Sequence, residues 1–530
     1  MSPHLPTWTD LTLAMPELCL VTVMCAAILV PFLSRQSKAV PAGVVALGLV
    51  LTLLATLATF NSFADFGSVF TGMLVVDHFS QFFKILLVGF TLLVLAQWWI
   101  ASRNQTHVYD VPDFLCLLAG AAFGMSLMAS ANNLLMIFLA IESASLPSYA
   151  LAGFRKKLRT GSEGALKYVI FGSASSAVML YGMSLIYGST GSLDLPTIAE
   201  AASKSMTPLF ALGLAGMLAG LAFKLSAVPM HFWCPDVFQS APTEVTTFLS
   251  VASKGAAICL LVRVLHAFGL ASGTATFGGL AVAVAILGGV TATWGNLLAL
   301  HQSNIKRLLA YSSIAHAGYM IMAASVLAAS PHNASAMIGA ILFYLFVYLF
   351  MNLGAFTVAA LVAQTTGSEE LSDYAGLIRR SPTLAVLMTL FLLSLFGMPG
   401  LGGFMGKIFL MTSMAQAGTA GQVMIVVLLL NTLFSLYYYM RPVYFMVFVD
   451  DTQARPAFLA RGLGVAMLFG CAGMLLWTGL RPMAVSQAIG DFATLAPVQL
   501  KQGRSPVATQ RVVFTAASLA PDPIDAIEFD

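Results

Sequence analysis

Charged side chains are scarce in this sequence. Only 9% of its 530 residues are Asp, Glu, Lys or Arg, whereas soluble domains contain about 25%. Hydrophobic residues make up 59% of the chain. This composition predicts an all-α polytopic membrane protein, with the lipid bilayer as a partner. No stripe of Lys and Arg lies outside the short loops, so the sequence argues against nucleic-acid binding.

Motifs for metals and nucleotides are also missing. The six cysteines form no CxxC pair and lie near no histidine at metal-ligand spacing, which argues against zinc or iron–sulfur sites. No GxGxxG motif opens a helix after a strand, and GGFMGKIF (402–409) has Leu401 in place of the first glycine of a phosphate loop. We therefore expect this chain to bind no cofactor and no metal. The N-terminus lacks a basic region before its first apolar run, so we expect a retained helix there.

Apolar runs long enough to cross a bilayer, about 20 residues each, occur about fourteen times. Their centres lie near residues 22, 50, 88, 121, 142, 176, 218, 255, 284, 314, 350, 398, 436 and 469.

Basic residues are distributed unevenly between alternate loops. Alternate loops form two sets, one on each side of the membrane. The set that is poor in basic residues contains, among its short loops, Lys204 alone. The rich set contains Arg35, Lys38, Arg103, Arg155, Lys156, Lys157, Arg159, Lys306, Arg307, Arg379, Arg380, Arg455 and Arg461. By the positive-inside rule the rich loops lie in the cytoplasm. With an even number of spans, both termini are expected in the periplasm of a bacterial inner membrane.

Four basic residues fall inside the apolar runs but near their ends. Lys84, Arg263 and Arg441 are expected to extend to the membrane interface, where their charges meet water. Lys167 opens the sixth span, just after SEGAL, and both an interfacial and a functional role stay open for it.

Three lysines and one glutamate lie near mid-span, where a charge costs about 2.5–3.5 kcal/mol. They are Lys224, Lys254, Lys407 and Glu142. Burial lowers the pKa of a lysine from about 10.4 towards the working range. A carboxylate about 6 Å away, at an effective dielectric constant of about 20, restores about 2.8 kcal/mol, or about two pKa units. These residues could form a proton relay, with Glu142 as its modulator; a static buried ion pair is the alternative.

Two of these lysines lie beside helix-breaking residues. Lys224 is five residues before Pro229, and Pro399 is eight residues before Lys407. Broken helices at corresponding positions of two halves indicate an ion path near the midplane. The lysines are about five spans apart, and because five is odd, a duplication would be inverted across the membrane. Two ordinary proline kinks are the alternative.

Two histidines and a tyrosine run could extend such a relay. His316 lies at mid-span and His231 follows the break in the seventh helix. Either could be a hydrogen-bonded core histidine or a proton carrier. Tyr437, Tyr438 and Tyr439 could supply hydroxyls, but an aromatic run at a helix end favours an interface anchor.

Five segments resemble signatures of one family. They are NNLLMIFLAIESASLPSYALAGF, SEGALKYVIFGSASSAVMLYG, FKLSAVPMHFWCPDVFQSAPTEVTTFLSVASKGA, NIKRLLAYSSIAHAGYMI and GMPGLGGFMGKIFL. They are similar to the antiporter-like membrane subunits of complex I, the proton-pumping NADH–quinone oxidoreductase. The resemblance covers roughly residues 110–450, and the SEGALKYVIFGSASSA and LPSYAL runs resemble subunit N most.

The resemblance implies a fold of fourteen helices with two inverted five-helix repeats, each containing a discontinuous helix. The expected parts are three N-terminal helices (1–110), the first repeat (111–268), the second repeat (274–448), a last helix (449–482) and a polar tail (483–530).

The resemblance also implies roles. Glu142 and Lys224 would form the modulating pair. Lys254 would be the central relay and Lys407 the exit lysine, and both histidines fall on relay positions. The chain would be a subunit of a translocase, and the chain itself would carry no redox centre. NADH, FMN, iron–sulfur clusters and quinone would be bound by the parent complex, whose other membrane subunits would be partners.

Some residues depart from the family pattern, and other functions stay open. Gln239 stands where the family usually has an acidic residue, and Glu244 where it usually has proline. The acidic end of the tail, PDPIDAIEFD, is expected to be disordered or to lie on a neighbouring subunit. An Mrp-type cation/proton antiporter subunit, a non-pumping scaffold and an unrelated solute transporter are the alternatives.

Overall fold

Apolar helices make up almost the whole fold. A computed structural model describes the chain over residues 8–33, 37–62, 67–155, 159–272, 278–329, 334–451, 462–490 and 492–495. The helices are α1 Trp8–Leu13, α2 Met15–Leu33, α3 Ala39–Ser62, α4 His78–Ala101, α5 Val111–Ser130, α6 Leu134–Ala152, α7 Arg159–Thr190, α8 Leu195–Lys204, α9 Pro208–Leu225, α10 Trp233–Ser240, α11 Thr243–Phe248, α12 Lys254–Ser272, α13 Gly278–Ala299, α14 Ile305–Ser325, α15 Ala334–Thr366, α16 Leu377–Arg380, α17 Pro382–Phe396, α18 Gly402–Ala415, α19 Gly418–Phe448, α20 Leu463–Leu480 and α21 Pro482–Gly490. Strands β1 Ser68–Val69 and β2 Leu74–Val75 form an antiparallel hairpin before α4.

Twelve helices or helix pairs within the described ranges are long and apolar enough to cross a membrane. They coincide with twelve of the fourteen predicted runs. At the run centred on 314, α14 has 21 residues but includes Lys306, Arg307 and His316. At the run centred on 398, α17 and α18 are short, with 15 and 14 residues. The all-helical membrane fold is confirmed, whereas the total of fourteen spans, the inverted repeats and their boundaries stay predictions.

The helices at the centre of the bundle carry two of the seven candidate residues, Lys254 and His316. The span formed by α11 and α12 is fully buried among other helices, whereas the windows in α2 and α3 are only 28% and 33% buried. Nearly every side chain of α14 is buried as well. Polar groups on these central helices are therefore shielded from lipid by protein.

Three interruptions of regular helical hydrogen bonding lie beside the candidate lysines of the described chain. Between α9 and α10, Ser226 has a left-handed backbone with φ +56°. Between α17 and α18, Gly397 and Gly400 have φ +94° and +89°, which glycine adopts without a Cβ clash. A π-helical turn at Leu249–Ser253 separates α11 from α12, directly before Lys254. The two breaks near prolines were predicted, whereas the π turn was not.

Several basic loops meet at one end of the bundle. Lys38 Nζ donates to the carbonyl oxygen of Arg103 at 2.8 Å, and Arg155 donates to Gln105 at 3.2 Å. Other members of the basic set, Arg35, Lys156, Lys157, Arg455 and Arg461, lie outside the described residues. These contacts place several of the loops that are rich in basic residues at the same end of the bundle, as predicted. The orientation of the bundle in the membrane stays a prediction.

The expected interfacial position of Lys84 is wrong. Its side chain is 1% exposed, and its Nζ lies 2.8 Å from Glu17 Oε1 on α2. Ser126 of α5 also donates to that carboxylate, at 2.6 Å. The prediction failed because Glu17 of α2 meets Lys84 inside the bundle, so a carboxylate replaces the water that Lys84 would have reached. Glu142 is therefore not the only acidic residue inside the bundle.

The interfacial position of Arg263 is wrong for the same reason. Its side chain is 6% exposed and forms two hydrogen bonds of 3.0 Å with Asp77, the N-cap of α4. It also donates to the carbonyl oxygen of Ala129. This bidentate pair joins α4, α5 and α12 within the bundle.

Part of the predicted polar tail packs on the bundle. Val485 and Ile489 of α21 are buried. Phe492 stacks on Phe60 with ring centroids 4.7 Å apart. The residues directly after 482 therefore pack on the bundle, because α21 has an apolar face. The boundary of the polar tail at 483 stays a prediction. The remainder, 496–530, with its acidic end, lies outside the described residues.

Replacing Gly288 with Ala should destabilise the bundle, because α13 and α14 are in close contact there. A Cβ at Gly288 would lie 2.7 Å from the backbone nitrogen of Met322. The matched control is Gly289→Ala, whose Cβ would meet only Met322 Sδ and Val427 at 3.7 Å. We expect Gly288→Ala to lower the free energy of unfolding by about 1–3 kcal/mol.

Thermal unfolding of the purified protein in detergent measures the difference between the two variants. Equal melting temperatures for Gly288→Ala and Gly289→Ala would contradict the close contact.

Candidate functional site

Lys224 is bound by a serine that lies about one turn after Glu142 on α6. Lys224, at the end of α9, is 1% exposed, and its Nζ donates to Ser145 Oγ at 2.8 Å. Ser145 lies three residues after Glu142, so both face the same side of α6. Glu142 accepts a short hydrogen bond from Ser176 of α7. Ser145 donates its own proton to the carbonyl oxygen of Ile141 at 2.6 Å. Within the described residues, Glu142 and Lys224 form no direct ion pair, so the carboxylate acts on the ammonium group through space and not by contact.

Lys254 begins α12 directly after the π turn. It is 1% exposed, and its Nζ donates to Ser313 Oγ at 2.5 Å and to Cys234 Sγ at 3.7 Å. The ring of Phe238 lies 5.5 Å away. These partners come from α10 and α14, and all are neutral groups. Lys254 is therefore held at the centre of the bundle, and no carboxylate within the described ranges contacts it.

Lys407 lies on α18, beside the second break. It is 4% exposed and donates to the carbonyl oxygen of Phe396 at 2.6 Å and to Thr432 Oγ1 at 3.3 Å. The break frees that carbonyl, because α17 ends at Phe396. A Cβ on Gly397 would lie 3.1 Å from Lys407 Cδ, so glycine also leaves room for the lysine. The helix break thus supplies the acceptor for the ammonium group.

His316 links the elements between the two lysines. Its Nδ1 lies 2.6 Å from the hydroxyl of Tyr344, and its Nε2 lies 3.1 Å from the hydroxyl of Tyr439. Tyr439 also forms a short hydrogen bond with Ser312, the neighbour of the Lys254 acceptor Ser313. Imidazole and hydroxyl groups both donate and accept, so this cluster can pass a proton between neighbours.

A second polar chain runs from the tyrosines towards Lys407. Tyr438 donates to Asn296 Oδ1 at 2.8 Å, and Asn296 donates to the hydroxyl of Tyr319 at 2.9 Å. The ring of Tyr319 lies 5.5 Å from Lys407 Nζ. The Tyr438 and Tyr439 side chains are fully buried, whereas Tyr437 is 63% exposed. The interface-anchor interpretation is therefore wrong for two of the three tyrosines.

His231 and Lys167 are not part of these networks. His231 is 2% exposed, and the described residues offer its Nδ1 no hydrogen-bond partner. Its ring lies 4.4 Å from that of Phe232. Lys167 is 40% exposed and pairs with Glu163 and Asp236 at 2.9 Å each. It lines a polar cleft near the basic loops and not a mid-membrane site.

This polar cleft has a volume of about 570 Å³. Its charged lining residues are Arg155, Glu163, Lys167, Asp236, Glu369 and Glu370. Asp236 also receives a 2.6 Å contact from Arg307, and Lys306 pairs with Glu369 at 2.9 Å. A cleft of this size and polarity admits water to one end of the bundle.

Sequence reasoning missed the groups that join the lysines. Ser145 and Ser313 accept from two of them, and Asn296 connects two tyrosines. A signal did exist for Asn296 and Asn431, because polar amides at the middle of apolar runs commonly bind across helices. Their amide groups are 3.0 Å apart. Isolated serines in apolar runs carry no such signal.

The family described as NADH:quinone oxidoreductase/Mrp antiporter, TM, matches residues 131–435 of this chain. The NADH-quinone oxidoreductase subunit N of Anaeromyxobacter sp. (strain Fw109-5) is 40% identical over 431 residues, which are 76% of this chain and 81% of that protein. Both findings agree with the motifs that the sequence shares with this family.

Solved structures show the same architecture. A chain of respiratory complex I from Thermus thermophilus with bound aureothin has a TM-score of 0.73 and 33% identity, over 90% of this chain and 99% of that one. A chain of the Mrp complex from Dietzia sp. DQ12-45-1b has a TM-score of 0.74 and 20% identity, over 91% and 97%. At 20% identity the second likeness shows the fold alone. The chain belongs to the NADH:quinone oxidoreductase/Mrp antiporter membrane family, and its predicted resemblance to the subunit N members is confirmed.

Proposed function

We propose that this chain is a proton-translocating membrane subunit of an NADH–quinone oxidoreductase, and that Glu142, Lys224, Lys254, His316 and Lys407 move the proton. Electrons would pass from NADH to quinone in partner subunits, with NADH, FMN, iron–sulfur clusters and quinone bound there. The chain would be part of an H⁺-translocating enzyme without a redox centre of its own. Its substrate is the proton.

One contrast among buried cations supports the proposal. Lys224, Lys254 and Lys407 are bound by hydroxyl, thiol or carbonyl groups. Other buried cations are neutralised by contact with a carboxylate, as in Lys84–Glu17 and Lys306–Glu369. A contacting carboxylate holds a proton on a lysine, whereas neutral acceptors do not. The three candidate lysines are therefore the ones able to release protons.

The geometry gives each part of the relay a task. A change in the distance between Glu142 and Lys224 would alter the proton affinity of that lysine, because Lys224 is bound by a neutral hydroxyl and not by the carboxylate itself. A proton released from Lys254 would reach His316 through the serine and tyrosine hydroxyls. From there the second polar chain extends to Lys407. His231 and Lys167 remain candidates at the ends of the path.

Orientation follows the basic loops. We propose that the end with the polar cleft faces the cytoplasm of a bacterial inner membrane and that both termini face the periplasm. Protons would enter the bundle from the cleft. Other membrane subunits of complex I, together with lipid, would surround the exposed apolar helices.

Two related functions remain to be separated from this one. The first is an Mrp-type cation/proton antiporter subunit, which shares the fold. Sodium-dependent transport in vesicles, independent of NADH oxidation, would favour it. The second is a scaffold that keeps the fold without pumping. It predicts that the buried lysines can be replaced without a loss of NADH-driven pumping by the complex.

Replacing the candidate charges should uncouple the complex. We expect Lys224→Ala, Lys254→Ala, Lys407→Ala and Glu142→Ala each to lower NADH-driven proton pumping with assembly preserved. The matched control is Lys204→Ala, because Lys204 is a 72% exposed lysine in a surface ion pair. Proton-to-electron ratios in proteoliposomes measure the effect. Normal proton-to-electron ratios in all four variants would contradict the relay hypothesis and favour the scaffold function.

Lys254→Arg should also impair pumping, because arginine keeps its charge and does not release its proton at working pH. Proton uptake per NADH oxidised is the measurement. A wild-type value would show that Lys254 acts through its charge alone.

Tyr439→Phe should slow pumping, because it removes the hydroxyl between Ser312 and His316 while keeping the ring. Tyr437→Phe is the matched control on the same helix, since Tyr437 is 63% exposed. We expect a decrease of at least about twofold for Tyr439→Phe and none for the control. Equal rates in both variants would exclude the tyrosine hydroxyl from the path.

A further inference from the structure

Glu244 is a buried carboxylate at the floor of the polar cleft. It lies in the first turn of α11 and is 3% exposed. Its Oε2 accepts a 2.8 Å hydrogen bond from Ser102, and both Ser102 and Thr243 line the cleft. The carboxylate is thus one hydrogen bond away from a water-accessible surface.

No cation among the described residues neutralises Glu244 by contact. The nearby cation on α14, Lys306, is paired with Glu369 at 2.9 Å and donates to the carbonyl oxygen of Ala241. On α10, Asp236 engages both Lys167 and Arg307. Glu244 therefore differs from Glu163, Asp236 and Glu369, the cleft carboxylates that are held in ion pairs. Burying a carboxylate with a hydroxyl as its partner is costly unless the group can take up a proton.

The helix that carries Glu244 leads directly to Lys254. The two residues are ten positions apart, or about 15 Å at the helical rise. Thr247, Ser250 and Ser253 lie between them and are buried. Ser253 Oγ has no hydrogen-bond partner within the described part of the chain. Thr247 and Ser250 donate to carbonyl oxygens one turn earlier on the same helix. Hydroxyl groups thus recur every three residues between Glu244 and Lys254, on one side of this helical segment.

We propose that Glu244 is a proton-binding site that loads Lys254 from the cleft. The carboxylate takes a proton from cleft water and becomes a carboxylic acid. It then passes that proton along the hydroxyl groups of α11 and the π turn to the neutral amine of Lys254. The amine becomes an ammonium group, and the carboxylate is restored. This inference rests on the proposed function, because it supplies the proton that Lys254 moves.

A structural role is the competing explanation. The Ser102 hydrogen bond fastens the end of α4 to the start of α11, so Glu244 could serve only as an acceptor. Two substitutions separate these roles. Glu244→Gln keeps the size and an acceptor oxygen for Ser102 but cannot carry a proton. Ser102→Ala removes the hydrogen bond but leaves the carboxyl group in place.

The test measures NADH-driven proton uptake by the assembled complex in proteoliposomes. We expect Glu244→Gln to slow uptake by at least about twofold and Glu244→Asp to retain part of it. Ser102→Ala keeps the proton-binding carboxyl group, so it should retain more uptake than Glu244→Gln. Glu163→Gln is the matched control for loss of a cleft carboxylate, because Glu163 is 59% exposed.

Two results would overturn the inference. One is wild-type uptake in Glu244→Gln. The other is equal loss of uptake and of melting temperature in Glu244→Gln and Ser102→Ala, which would show that the hydrogen bond alone matters. Lys254→Ala, measured in parallel, separates this inference from the proposed function. If Lys254→Ala fails to pump while Glu244→Gln pumps normally, only the role of Glu244 is lost.

Discussion

An ammonium group that leaves water must recover its lost hydration from the protein, and this requirement organises the bundle. Where a carboxylate makes contact, as for Lys84 and Arg263, the charge is fixed and the helices are fastened together. Where only neutral oxygen or sulfur atoms make contact, the charge is held less firmly. Lys224, Lys254 and Lys407 belong to this second group. The partner therefore decides whether a buried cation supports the fold or takes part in transport.

Helix interruptions place the neutral partners where they are needed. The break after α17 frees the Phe396 carbonyl for Lys407, and the break after α9 leaves Lys224 at a helix end facing α6. The π turn before Lys254 changes the direction of the residues that follow it, relative to a regular helix. Each interruption gives up regular backbone hydrogen bonds inside a membrane, which is tolerated where the backbone is buried in protein. The backbone groups that an interruption frees can thus accept hydrogen bonds from a buried ammonium group, as the Phe396 carbonyl does for Lys407.

The sequence predicts much of the fold because the bilayer restricts its solutions. Long apolar runs become helices, and prolines and glycines mark two of the three interruptions. It also identifies Lys224, Lys254, Lys407 and Glu142, because charges in apolar runs are easily seen. The partners of these charges are harder to predict. Glu17 and Lys84 are 67 positions apart, and nothing local in the sequence indicates that their side chains meet.

Serines, tyrosines and the π turn escaped prediction for related reasons. A hydroxyl group in an apolar run can donate a hydrogen bond to a carbonyl oxygen of its own helix as readily as it binds a lysine. The sequence around Ser145 and Ser313 therefore does not indicate that they bind lysines. Tyr438 and Tyr439 have the composition of an interface anchor, and only the packing of α19 against α13 and α14 shows that they are buried. The π turn depends on contacts between distant helices and has no proline or glycine to mark it.

Nitrogen-15 NMR of lysine side chains in the assembled complex, recorded at rest and during NADH oxidation, tests most directly whether the buried lysines release protons. A Lys254→Ala variant assigns the resonance of that residue. We expect the Lys254 signal to include a neutral amine during turnover. An ammonium signal that persists unchanged throughout turnover would contradict the proton-carrying role of the buried lysines.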